Sequence, residues 1–300
     1  MSIILGLISW PEEGSAREAK KSSVVRIICR YFIEIPKRSY LFKKKIKLPF
    51  LFVALIYSPA FSHEFWLEPS QNKESKIVQF SMLVGESLRG DTLPYFRKNL
   101  TSSYIIDKSG IKKLPGYDGD DPAFSINRAD RHYGIAISTQ YSKIIFEKSN
   151  KFDDYILREG LAEDLVNFKF TPPLDERYAR HSKFFWGSDP ALKHAKHIFG
   201  HPLEFIFSNR ICRKKQDILI FRLMKEGRPF ASRAVFITDA VEKPRRRKLL
   251  TDETGLFEIQ LRGNSGFLIN SVVISQDTKA QKLRSEWGSI RISNIETKCD

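Results

Sequence analysis

The twelve residues LDERYARHSKFF at positions 174–185 decide how the rest of the chain is organised. At a helical spacing, Tyr178, His181 and Phe185 fall on neighbouring turns, which predicts a helix from Leu174 to Phe185. An earlier apolar series, Phe152, Tyr155, Ile156, Leu161, Leu165 and Val166, has the same broad period. Gly160 weakens that series half-way, giving two short helices, and Thr171-Pro172-Pro173 stops it. With both patterns helical, residues 149–200 become a connector between two strand-rich lobes.

The lobes are read from short β-rich runs set off by turn residues. On the amino-terminal side, Ile77 to Gly85 alternates in part and closes on glycine, and Tyr104-Ile105-Ile106-Asp107 precedes the turn signal Lys108-Ser109-Gly110. Gly134 to Ser138 and Lys143 to Phe146 are further strands. From Pro202 onward the pattern repeats through Leu203–Phe207, Ile218–Leu223, Ala234–Ile237, Phe257–Leu261, Phe267–Ile274 and Ser289–Ile292. That spacing suits an immunoglobulin-like sandwich. The predicted fold is mainly β, with two antiparallel β-sandwich lobes, 63–148 and 201–297, joined by the helical segment.

Upstream, Lys43-Lys44-Lys45 and Lys47 lead into Leu48–Phe61, which carries no charge and ends Ala60-Phe61-Ser62. A basic stretch, a short apolar core and a small-x-small exit are the parts of a signal peptide over 43–62. The run falls short of the roughly twenty apolar residues that cross a bilayer. Residues 1–42 show no sustained period and are set aside as an extension upstream of the true start. Cleavage after Ser62 gives a periplasmic or secreted protein that begins at His63.

The formal charge of +15 does not imply a nucleic-acid partner. Residues 1–62 hold eleven Lys/Arg against four Asp/Glu, so only +8 remains downstream. The densest basic run, Pro244-Arg245-Arg246-Arg247-Lys248, reads as a solvated hairpin loop between strands. Once the leader is removed, Cys212 and Cys299 remain. A disulfide between them is permitted in an oxidising compartment, and the spacing leaves the pairing open.

A mature His63 combines a free amine with an imidazole, a chelating pair for nickel or copper that one or two further imidazoles would complete. His132, on a predicted strand, is the first partner candidate and His201 the next. His194, His197 and His201 form HxxHxxxH, although Gly200 and Pro202 point to a linker. His181 reads as packing. No GxSxG elbow, P-loop or HExxH helix is present. Asp118, Asp120 and Asp121 make a polar turn that lacks the full calcium-loop spacing. The chain is expected not to be an enzyme; an amino-terminal copper oxygenase is the only catalytic form these residues motivate.

Taken in order, several motifs resemble a family of exported bacterial proteins catalogued as domain of unknown function 4198. These are His63-Glu64-Phe65-Trp66-Leu67-Glu68-Pro69, Val84-Gly85-Glu86 with Gly90-Asp91, Arg131-His132-Tyr133-Gly134, Phe152 to Leu161, Glu176 to Arg180, Gly200 to Glu204, Gly227-Arg228-Pro229 and Thr251 to Gly255. The family's late Trp-x-x-x-x-x-His strand is replaced by Phe267 and Val273, and His181, His194 and His197 lie outside the matched motifs. The resemblance implies a role in nickel uptake, with the metal ion handled at His63, His132 and His201 and presented to a membrane metal transporter or receptor. The rival reading is a metal-free adhesion or carbohydrate/protein-binding module, with Trp186 and Tyr141 as contacts.

Overall fold

The stretch 174–185 is a strand. In the computed structural model, which describes residues 64–70, 76–127, 133–166, 171–262, 266–277 and 282–299, it lies within β9 (Leu174–Trp186), near the middle of the molecule's largest sheet. All described residues belong to the compact unit Tyr57–Asp300. The expected helix fails for a physical reason. β9 is covered on both faces, so it shows no apolar–polar alternation by which a strand is recognised.

In chain order the strands before β9 are β1 (Glu64–Pro69), β2 (Ile77–Glu86), β3 (Arg89–Leu93), β4 (Leu100–Asp107), β5 (Gly110–Lys113), β6 (Phe124–Asn127), β7 (Gly134–Thr139) and β8 (Ser142–Phe146). A helix, α1 (Ser149–Glu159), follows β8, and a second, α2 (Asp189–His194), follows β9. Then come β10 (Leu203–Arg213), β11 (Gln216–Lys225), β12 (Arg228–Pro229), β13 (Ala234–Asp239), β14 (Arg246–Leu250), β15 (Leu256–Gln260), β16 (Phe267–Asp277) and β17 (Lys282–Ser293).

Three sheets form the layers. The largest has nine strands, ordered β14-β13-β16-β17-β9-β7-β4-β5, with β8 also on β9. Two four-stranded sheets, β1-β2-β3 with β6 and β10-β11-β12 with β15, cover it. Strands from both ends of the sequence thus share one sheet, with β9 between them. The β9–β17 pair is parallel, registered from Lys282↔Asp175 to Ser293↔Trp186, where antiparallel pairing was expected. A parallel neighbour is possible because β17 reaches β9 after a long crossover through the carboxy-terminal strands.

In β9 and β17, Tyr178, Arg180, Ser182, Phe184 and Trp186 share one face with Trp287, Ser289 and Arg291. His181, Lys183 and Phe185 share the other with Glu286, Gly288 and Ile290. The first face packs under β1 and β2, with Phe65, Leu67, Phe80, Ile135, Phe184 and Trp186 in one core. The second packs under β10 and β11, with Phe185, Phe205, Phe221, Ile269 and Ile290 in another. A third core joins α1 to Leu174, Tyr178 and Trp287.

Other expectations meet the structure variously. The α1 helix stops at Gly160, which takes φ +66° and caps the carboxyl end, and a 3-10 turn follows at Ala162–Leu165. This is the division that Gly160 predicted. The basic run is not a solvated loop from Arg246 onward. Arg246–Leu250 is strand β14, and the Arg246 guanidinium lies 3.7 Å over the Phe236 ring. Cys212 and Cys299 form a disulfide, with Cα atoms 5.6 Å apart.

Candidate functional site

Among the described residues, the densest set of buried titratable side chains lies on the β10-facing side of β9. Register fixes it. Gly288 of β17 and Ser138 of β7 flank His181, while Ile290 and Ala136 flank Lys183. The absence of a side chain at Gly288 lets Leu203 of β10 approach the sheet closely beside His181, where a Cβ would come within 2.9 Å of the Leu203 carbonyl oxygen.

His181 Nδ1 lies 2.9 Å from Ser138 Oγ, and Nε2 lies 3.0 Å from Glu286 Oε2. Glu286 also accepts hydrogen bonds from the Tyr141 hydroxyl and, at 2.9 Å, from Arg284 Nε. Burial pushes the Glu286 carboxyl up, but its hydrogen bonds from His181 and Tyr141 hold it below the usual range. Burial and the Glu286 carboxylate together push Tyr141 up to about 12. A local irregularity brings Tyr141 here. From Ser138↔His181 to Ser142↔Tyr178, β7 and β8 advance four residues against three in β9. The extra residue behaves as a bulge and re-aims the side chain.

Lys183 is fully buried and forms an ion pair with Glu204 at 2.6 Å, donating also to the carbonyls of His197 and Phe205. Burial lowers its pKa to about 8 against the pull of Glu204. Glu204 in turn accepts from the backbone N–H groups of Phe199, Gly200 and His201 at 2.8, 3.1 and 3.2 Å. The pair therefore fixes the turn that carries His201. The His201 ring is 5.5 Å from that of His181 and only 5% of the residue is exposed. Its Nε2 is buried without a hydrogen-bond partner. Burial, then the neighbouring His181 and Lys183, holds His201 well below its ordinary pKa, so the ring is neutral.

Of the predicted ligands, His63 and His132 lie outside the described residues. His201 is described, and its ring neighbours that of His181, which in the sequence reads mainly as packing. Glu64, the residue after His63, lies on the opposite side of the nine-stranded sheet. There it contacts Arg246 at 3.2 Å, accepts from Ser87 N–H at 3.0 Å, and is pushed up by burial to about 7. His194 ends α2 and His197 follows it, so no single helix carries both.

The His181–His201 set does not by itself make a transition-metal site. Both ring nitrogens of His181 are engaged, and the His201 ring, whose Nε2 is buried without a partner, is close enough to the Lys183 ammonium to feel its charge. Among the described residues, no three His, Cys, Asp or Glu side chains are gathered to hold a metal ion. The same holds at the aspartate turn, where Asp118 accepts from Arg97 N–H and Asp121 from Thr92 Oγ1 at 2.6 Å each, as turn caps. Trp186, expected as an exposed contact, packs against Phe184 and Tyr133. Among the described residues no helix is long and apolar enough to cross a membrane.

No local pattern marks the Ser138–His181–Glu286–Tyr141 chain, since its members come together only through the pairing of β7, β8 and β17 with β9. No curated protein matches the chain. The family described as Domain of unknown function (DUF4198) matches residues 60–273, more than two thirds of the sequence, and the chain belongs to that family.

Proposed function

We propose that the chain is an exported, non-catalytic protein that handles a transition-metal ion, nickel or copper, for presentation to a membrane transporter. The observation that carries export is the Cys212–Cys299 disulfide, a bond that persists in oxidising compartments. The leader-like segment before His63 points the same way. The metal is cargo, taken by the amine and imidazole of His63 with His132. On this reading His201 is a neutral core group, since it lies on the far side of the sheet from Glu64. Affinity falls as pH drops, because amine and imidazole bind only when deprotonated.

The test is amino-terminal sequencing of the exported protein, followed by titration with nickel and with copper. Expected are a chain starting at His63 and a loss of affinity of about tenfold or more in His63→Ala. A start elsewhere, or unchanged affinity in His63→Ala, overturns the site.

A second reading, a metal-free binding module, is favoured by a groove of about 310 Å³ along β4. Tyr95, Arg97, Thr101, Ser102, Ser103 and Tyr104 line it, a mixture of hydroxyl and aromatic groups suited to a polar ligand. Elemental analysis of protein purified from its own compartment separates the two. A stoichiometric transition metal supports the first reading, and its absence supports the second.

A further inference from the structure

β5 leaves β4 early. The two strands pair only from Tyr104↔Lys113 to Asp107↔Gly110, and their last backbone bond runs from Leu114 N–H to the Ser103 carbonyl at 3.0 Å. The chain then turns away through Pro115 to Gly116, which lies so close to the Tyr95 ring that a Cβ there would come within 2.7 Å of it. Leu100–Ser102, where β4 is irregular against β7, therefore keeps an edge with no strand beside it among the described residues. The groove of about 310 Å³ follows that edge, lined by Arg97 from the turn before β4 and by Lys113 from β5. Its charge is one-sided. No Asp or Glu lines it, Arg97 and Lys113 are exposed, and among the described residues neither forms an ion pair. Tyr104 and Lys113 are paired across the strands, so their side chains share a face, and Ser102 adds a second hydroxyl two residues along on that face.

The Arg97 side is held in place by the aspartate turn. Tyr95 N–H donates to the Asp120 carbonyl and Gly119 N–H to the Tyr95 carbonyl, both at 2.8 Å, and Asp118 Oδ1 accepts from Arg97 N–H at 2.6 Å. The turn that lacks calcium spacing thus fixes the backbone from which the guanidinium extends, and Asp118 meets Arg97 at its N–H rather than at its charge. We infer that this groove binds a small hydroxylated carboxylate, of the uronic-acid kind, through Arg97 and Lys113. The inference rests on the binding-module reading of the groove and adds the ligand's charge to it. A guanidinium presents a planar fork that matches a carboxylate, and an ammonium adds a less directional donor. The hydroxyls of Ser102 and Tyr104 can exchange hydrogen bonds with those of the ligand. A free edge limited to Leu100–Ser102 is too short to hold an added strand of ordinary length, so the occupant is a small molecule.

The test is titration calorimetry of the exported, processed protein with glucuronate, glucose and inorganic sulfate. Glucuronate is expected to bind, and glucose to bind about tenfold more weakly or less, because only the carboxylate engages the two cations. Sulfate should also be weaker, since it carries nothing for the hydroxyls to hold. Arg97→Gln and Lys113→Gln should each weaken glucuronate by about fivefold or more, while Lys112→Gln, on the opposite face of β5, leaves it unchanged. All three side chains are exposed, so Tm should stay at the parent value in each variant. Glucose binding as tightly as glucuronate, with no effect of Arg97→Gln or Lys113→Gln, overturns the anionic ligand and leaves the polar groove of the binding-module reading standing. Equal affinity for sulfate overturns the sugar-acid class. An equal loss in Lys112→Gln overturns the site, because the ligand would then be answering net charge. Absence of glucuronate binding overturns the inference outright, whereas the binding-module reading falls to a stoichiometric metal.

Discussion

Buried ionisable side chains shape how this protein responds to pH, and they act in opposite directions. Burial raises the Glu176 carboxyl to about 7 against hydrogen bonds from Ser285 and Tyr155 and the charge of Arg180. A carboxyl raised in the folded state contributes stability that is whole below about 4.5 and is lost as pH climbs to about 7. Glu176→Gln keeps hydrogen-bonding capacity without the charge. It should flatten that limb and gain about 1–3 kcal/mol at pH 8, read from urea denaturation at several pH values. A variant with the parent's slope between pH 4.5 and 7 would show that Glu176 does not titrate there. His201 has the reverse sign. Its depressed pKa means that the unfolded chain takes up the proton first, so stability is whole above about 6.5 and lost as pH falls below it. His201→Gln should remove this acid loss, seen as a smaller fall in Tm from pH 7 to 5; an unchanged fall would place the loss elsewhere.

At the level of elements, β9 and its neighbours carry the site through close approach and register. Gly134 of β7 sits opposite Phe185, and a Cβ there would come within 2.0 Å of the Phe185 ring. Phe185 is packed in the core under β10 and cannot yield. Gly134→Ala should therefore cost about 1–3 kcal/mol, measured by chemical denaturation. A neutral result would mean that β7 lies farther from β9. The two outer strands of the large sheet, β5 and β14, are short and carry Lys112, Lys113, Arg247 and Lys248, cations that discourage pairing between the edges of two copies. Arg246 alone is drawn inward, to Glu64 and Glu159. In the sequence it is one of five basic residues in a row of near neighbours, and nothing local distinguishes it.

For the whole molecule, the sheet that unites both ends of the chain sets its cooperativity. β9 has β17 along one side, and that partner is more than a hundred residues away in sequence. A fragment of residues 63–200 would leave this side of β9 open and the His181-bearing face without β10. It should lack a cooperative denaturant transition by near-ultraviolet dichroism, whereas the full mature chain should unfold in one step. Cooperative unfolding of the fragment would contradict this. The sequence by itself determined the β-rich class, the strands with one wet face such as β2, and the end of α1 at Gly160, because local alternation and local backbone freedom are written in neighbouring residues. The tertiary structure alone decided that 174–186 is a strand, that β17 runs parallel beside it, and that His201 meets His181 rather than the neighbour of His63. Those choices depend on contacts between distant segments. A strand buried on both faces, with its polar groups satisfied by such contacts, has no periodicity of its own to betray it.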